Sequence, residues 1–258
     1  MERGSTWLRK AQLRDGSWPA HSGQGEGCWT TALACLALRV QEEVSEAVVR
    51  GIAWLCHAWP GEGSLWWRFR HRLLGGPTVV RQNLSLRGWS WTPGTSSWVE
   101  PTCYALIGLH NLPDAIRPRR AAARRRLGEA MLYDRMCPGG GWNCGNPLIY
   151  GVAGEPQVGP TAWALLALQE YRDRTENRKS LDWLARTYEQ IQGPGSLALA
   201  HICLENYGRP TPPVEPALQH LYLANQFFHS VPVVSWATLA LGGVPEWLQW
   251  TGQGGSKS

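Results

Sequence analysis

The chain has 258 residues, 43% of them hydrophobic, enough to bury a sizeable core; one repeat-built domain over residues 1–250 is expected, with a flexible Gly/Ser/Lys tail at 251–258. The formal charge of +5 is modest and owes much to Arg117 through Arg126, which reads as a helix with Arg on its outward face, so no nucleic-acid partner is expected. Arg, Gly and Pro interrupt every apolar run before it reaches membrane-spanning length, and seven Cys at irregular spacing fit reduced thiols in a cytoplasmic protein and not a disulfide framework.

Residues 3–13 predict a short amphipathic helix, with Trp7, Leu8, Ala11 and Gln12 at helical spacing and Asp15-Gly16 to end it. A Gly-rich loop from Ser22 to Gly27 leads into Thr30-Thr31-Ala32-Leu33-Ala34-Cys35-Leu36-Ala37-Leu38, which is apolar nearly all round. Residues 45–59 predict a surface helix with one apolar face. The segment from Pro60 to Trp98 is long for a loop, and such segments are functional or hold further structure. Glu100-Pro101-Thr102-Cys103-Tyr104-Ala105-Leu106 begins a second apolar helix. An outer helix over 119–136 precedes the Gly-rich loop Cys137 to Asn146, and a third apolar helix starts at Pro160. An outer helix over 177–190, an apolar helix over 197–205 and a final pair over 215–229 and 231–242 complete the chain.

Four of these stretches share one pattern: Thr31, Thr102, Thr161 and Ser235 each lead a run rich in Ala and Leu. Ala and Leu are strong helix formers, and Pro101 and Pro160 sit where a first helical turn tolerates proline. Helices that are apolar all round need neighbours on every side. About five hairpins, each an amphipathic outer helix, a Gly-Trp turn and an apolar inner helix, therefore suit two concentric rings. Sixteen Trp against three Phe and seven Tyr demand a use for indole surface, as cavity lining or as staples between repeats.

Trp7-Leu8 followed by Gln12, Gly16 and Trp18 is similar to the Gln-Trp repeat of squalene-hopene and oxidosqualene cyclases, and Gly88-Trp89 and Gly141-Trp142 look like weaker copies. The whole chain resembles the prenyltransferase and squalene-oxidase repeat superfamily. That resemblance implies an all-α fold, an α/α toroid, and a structural role for Gln12 and Trp18, with the amide capping a neighbouring helix end and packing on the indole. A closed ring of this family has more hairpins than five, so the 60–98 segment is the place for another.

The resemblance carries two chemistries. In class II terpene cyclases an Asp-Xaa-Asp-Asp-Thr motif supplies a carboxylic acid that protonates an alkene or epoxide, and carbocations then form among aromatic rings that stabilise them without offering a nucleophile. Aligned on Thr102, Trp98 and Pro101 replace two of the acids and Glu100 replaces the donor, so one carboxyl of three is kept. A helix start favours the anion and lowers the pKa of Glu100, whereas burial among Trp98, Trp91 and Tyr104 raises it, and only the second outcome makes an acid. Trp29, Trp91, Trp98, Tyr104, Trp163 and Trp236 are the rings expected at the cavity, and an isoprenoid or another long apolar molecule is the expected ligand, with no cofactor and no metal.

The second design is the zinc-dependent prenyltransferase, which holds its ion with Asp, Cys and His. Glu100, Cys103 and His201 form the nearest trio, but the Asp-Xaa-Cys spacing is absent, and a buried Cys in an Ala/Leu helix reads as a small hydrophobe. A further alternative keeps the fold without the acids, as a non-catalytic lipid-binding or scaffold protein. The serine elbow, the phosphate-binding glycine loop, His-Glu-Xaa-Xaa-His and Asp-Asp-Xaa-Xaa-Asp are all missing. Finally, Trp66, Trp67 and Phe69 alternate with Arg and His, a pattern that suits peripheral contact with a bilayer or a partly buried segment whose arginines are solvated.

Overall fold

The computed structural model describes residues 2–41, 44–61, 69, 73 and 82–251. Helix makes up 58% and strand 3%, so the class is all-α, as the sequence predicts. Strand is confined, among the described residues, to two residues each in β1 (Leu148–Ile149) and β2 (Val152–Ala153). None of the described helices is long and apolar enough to cross a membrane. The chain divides into two compact units, one of residues 1–135, 148–152 and 251–258, the other of 136–147 and 153–250. Of the tail expected at 251–258, residues 252–258 lie outside the described residues.

The first unit holds α1 (Glu2–Ala11), α2 (Thr30–Arg39), α3 (Glu46–His57), α4 (Val99–Gly108) and α5 (Ala121–Asp134). Helix α2 packs on α1, α3 and α4, and α4 packs on α5, so the two apolar helices lie side by side with amphipathic helices against them. In α4 every residue but Glu100 is buried, which explains why its sequence carries no polar face. Ser45 starts α3, its hydroxyl accepting from Val48 N–H at 3.4 Å. At the other end of the inner pair, the Arg39 guanidinium of α2 donates to Gly108 O, His110 O and Asn111 O at 3.0–3.2 Å. It thereby satisfies carbonyls that the end of α4 leaves without helical partners.

The second unit holds α6 (Val158–Ala167), α7 (Thr175–Thr187), α8 (Pro194–Asn206), α9 (Val214–Asn225) and α10 (Val231–Leu241). Here α6 packs on α7 and α8, while α8 packs on α7, α9 and α10. The buried amide of Gln169 ties this unit together: Nε2 donates to Leu166 O and Leu248 O, and Oε1 accepts from Asn206 Nδ2 and Trp250 N–H. The last helix departs from expectation. Its sequence is as apolar as the inner helices, yet only Ala237 and Ala240 are buried, and Val231, Val234 and Leu241 are exposed.

One joint is built three times. The backbone N–H of Trp18 donates to Thr31 Oγ1, that of Trp89 to Thr102 Oγ1 and that of Trp142 to Thr161 Oγ1, each at 2.9 Å, pinning the turn to the first part of the inner helix. Ser235, the fourth residue of the pattern, instead donates to Val231 O within its own helix. The turn glycines are forced by crowding: a Cβ at Gly88 would lie 2.1 Å from Thr102 Oγ1, and one at Gly141, whose φ is +73°, 2.9 Å from Thr161 Oγ1.

Helix capping falls to the indoles. Trp18 Nε1 donates to Leu8 O at 2.7 Å and Trp89 Nε1 to Leu55 O at 3.0 Å, each an orphan carbonyl in the last turn of the preceding amphipathic helix. Gln12, expected to cap a helix end, instead joins the turn to the start of α3 by donating to Gly16 O and Ala47 O. A short amide at position 12 reaches the nearer loop, whereas the longer indole reaches back to the end of α1.

Candidate functional site

Helix α4 sets out the first part of the site. Trp98, in extended conformation at its N-cap, is fixed through its backbone, donating to Trp89 O at 3.0 Å. Glu100 follows in the first turn, half-buried, with no hydrogen bond or ion pair to its carboxyl among the described residues. Burial pushes its pKa above the ordinary carboxylate value. Tyr104 lies one turn further on, and burial first, then the charge of Glu100, pushes its phenol up as well. Cys103, fully buried beside Glu100, is raised for the same two reasons and is inert as a thiol.

The rings named from the sequence fall into separate groups. Trp29, Trp91 and Tyr104 form one cluster in the first unit, with centroids 5.2 Å apart for the two indoles and 5.7 and 6.2 Å from each to Tyr104. Trp163 and Trp236 form an edge-to-face pair in the second unit, 5.0 Å apart.

The first unit also holds a pocket of about 180 Å³ walled by four indoles, Trp29, Trp54, Trp59 and Trp89, with Pro93 and Pro101. Of the six expected rings only Trp29 lines it, and through Trp29 it adjoins the cluster around Tyr104. Pro101 and Ala105, one helical turn apart, present α4 to the pocket, while Glu100 and Tyr104 occupy the neighbouring stripe and are not part of its wall.

The pocket residues Trp54, Trp59 and Trp89 are not among the binding residues that the sequence pattern picks out. Their signal lies in α3 and its end: Trp54 and Trp59 stand five residues apart, beside a Pro that ends the helix, and neither fits the helix's apolar stripe of Val48, Ile52, Leu55 and Cys56.

Arg124 corrects the reading of the basic segment. Arg119, Arg120 and Arg126 are exposed as expected, but Arg124 is 2% exposed. It donates to Ala58 O, Arg87 O and Gly88 O at 2.7–3.0 Å, and its guanidinium carbon stands 3.8 Å from the Trp89 ring centroid and 4.6 Å from that of Trp59. Burial, with Arg87 nearby, lowers its pKa to about 10, so it stays charged at neutral pH. Arg87 adds a second guanidinium 5.1 Å from the Trp59 ring.

Among the described residues no three His, Cys, Asp or Glu side chains gather as a metal-binding set. None of the seven cysteines is in a disulfide. His201, in the second unit, has its Nδ1 3.2 Å from Tyr188 OH and 3.0 Å from Thr211 Oγ1, and its Nε2 3.4 Å from Glu205. Burial lowers its pKa against the opposing pull of Glu205, leaving a neutral ring that ties the 207–213 loop to α8. Trp66 and Trp67, named for bilayer contact, lie outside the described residues, as do 62–68, 70–72 and 74–81 of the 60–98 stretch read as room for another hairpin, and Phe69 is exposed. Comparison with models of known families and with curated proteins returned no match.

Proposed function

We propose that this chain is a terpenoid-cyclase-like protein of the prenyltransferase and squalene-oxidase repeat type, its hairpins set in an α/α toroid, that binds an isoprenoid and starts its cyclisation with a proton from Glu100. The observation that carries the reading is the state of Glu100: a carboxyl at the start of a buried helix, free of hydrogen bonds and ion pairs among the described residues, with burial favouring its protonated form. The thrice-built Trp–Thr joint and the side-by-side apolar helices within each unit support the repeat architecture.

In this reading the Glu100 O–H passes its proton to an alkene carbon of the substrate, leaving a carboxylate and a carbocation. The π electrons of a second alkene close the ring, and the resulting cation loses a proton to water, or takes up water and then loses one, while the Glu100 carboxylate regains a proton from water, so that no net proton is consumed. Trp29, Trp91 and Tyr104 offer π faces to the cation next to that carboxyl. The pocket between Trp54 and Trp59 receives an apolar part of the same molecule, away from the reacting end.

A second reading, binding without turnover, is favoured by one feature: Glu100 is not on the pocket wall. Incubation with acyclic polyprenyl substrates, followed by chromatography of the products from wild type and Glu100→Gln, separates the two. Cyclic product from wild type alone supports the acid. Equal product from both removes Glu100 from the chemistry, and binding with no product from either leaves the carrier.

A further inference from the structure

Among the described residues the pocket wall is made of indole, proline, alanine, leucine, cysteine, serine and one histidine, and holds neither a carboxylate nor a Lys or Arg. A box of indoles without a charge of its own is ordinarily a seat for a cation such as a quaternary ammonium, because the ring quadrupole presents negative faces. Two of the four indoles here are already engaged. Arg124 lies over a face of both Trp59 and Trp89, and since it is not on the pocket wall the faces it covers are turned away from the pocket. Arg87 stands over Trp59 as well, and its guanidinium meets no carboxylate among the described residues.

A cation inside the pocket would therefore face two fixed positive charges through the rings meant to attract it. The charge of Arg124 persists at neutral pH. The screening water is displaced by the rings themselves, so repulsion at such separations costs a bound cation roughly tenfold or more in affinity. An uncharged apolar group meets no such opposition and gains the full burial of its surface.

We infer that the pocket walled by Trp29, Trp54, Trp59 and Trp89 is a binding site selective for uncharged apolar molecules over cations of the same shape, and that Arg124, with Arg87 assisting, is the specificity-determining residue. The inference rests on the pocket being a ligand seat, as proposed above, but not on catalysis by Glu100.

Two isosteric probes test it by titration calorimetry on the full chain: 7,7-dimethyloctan-1-ol, and (6-hydroxyhexyl)trimethylammonium, in which nitrogen replaces the quaternary carbon. The alcohol is expected to bind at least about tenfold tighter at low salt, and Trp59→Leu to weaken it, placing it in this pocket. Because a cation is also the harder of the two to desolvate, the deciding measurement is the ratio in variants. Arg124→Met is expected to narrow the preference by about tenfold, and Arg87→Met, which breaks no side-chain hydrogen bond, by roughly threefold and so serves if Arg124→Met fails to fold.

An unchanged ratio in Arg87→Met and in any folded Arg124→Met overturns the inference. So does ammonium binding equal to or tighter than that of the alcohol in wild type, or the absence of saturable binding by either probe. Running the titrations on Glu100→Gln keeps the two readings apart. Selectivity in wild type without turnover faults the acid alone, and turnover in wild type without selectivity faults this inference alone.

Discussion

The main-chain N–H of Trp18 and the hydroxyl of Thr31 are 2.9 Å apart and both buried, and the pair is matched by Trp89 with Thr102 and Trp142 with Thr161. Each hydroxyl is the acceptor for a buried backbone donor that has no water to turn to. Replacing Thr by Val keeps the shape and strands that donor, which costs about 1–3 kcal/mol. Thr31→Val, Thr102→Val and Thr161→Val are each expected to lose that much in urea unfolding. The Ser variants, which keep the acceptor and give up a methyl, should lose about 0.8 kcal/mol. A Val variant as stable as wild type would show that the joint does not support the fold.

Two helix-interior glycines invert the usual rule. Gly→Ala in a helix normally stabilises by about 1 kcal/mol. A Cβ on Gly51 would sit 2.4 Å from Cys35 Sγ and 2.8 Å from the Trp18 ring, and one on Gly128 would sit 2.8 Å from the Trp89 ring. These rings are buried in their joints and have no room to yield, so overpacking, typically about 1–3 kcal/mol, outweighs propensity. Gly51→Ala and Gly128→Ala are expected to lower the melting temperature, while Gly4→Ala, with open space around it, should not.

The order and kind of the helices are legible because Ala/Leu runs and amphipathic stripes each allow one answer: the pattern over 3–13 becomes helix 2–11, and the Glu-Pro-Thr start becomes helix 99–108. The Trp–Thr joint is visible only as a recurring pattern, since hydrogen bonds leave no periodicity. Trp54 and Trp59 escape the pattern because a pocket is made by residues whose spacing serves no helix face. Arg124 is misplaced for a related reason: in a run of arginines nothing local marks the one that turns inward, and what selects it is the pair of indoles, Trp59 and Trp89, from distant segments.

Glu100 makes a prediction that needs no substrate. Burial raises its folded pKa above the unfolded value, so the folded chain holds the proton more tightly than the unfolded chain. The carboxyl costs no stability below the unfolded pKa, and a penalty grows as the pH rises through that value to the folded one. Glu100→Gln removes the ionisation. Its melting temperature is expected to match wild type near pH 4 and to exceed it at pH 7. A variant less stable than wild type at pH 7 would mean that the carboxylate is held by favourable contacts, and it would then be no proton donor.

His110 gives the opposite sign. It is buried at the end of α4, and burial, followed by the nearby charges of Arg125 and Arg39, lowers its pKa to about 3. The unfolded chain takes up a proton near pH 6.5 that the folded chain refuses, so stability is lost as the pH falls from about 6.5 toward 3. At full effect one such group contributes about 1.4 kcal/mol per pH unit. His110→Gln, which cannot titrate, is expected to show a shallower fall in unfolding free energy between pH 6.5 and 4.5, whatever its stability at neutral pH. Parallel curves for wild type and variant would mean that the imidazole finds its proton in the folded chain too, and that Arg39 and Arg125 do not hold it neutral.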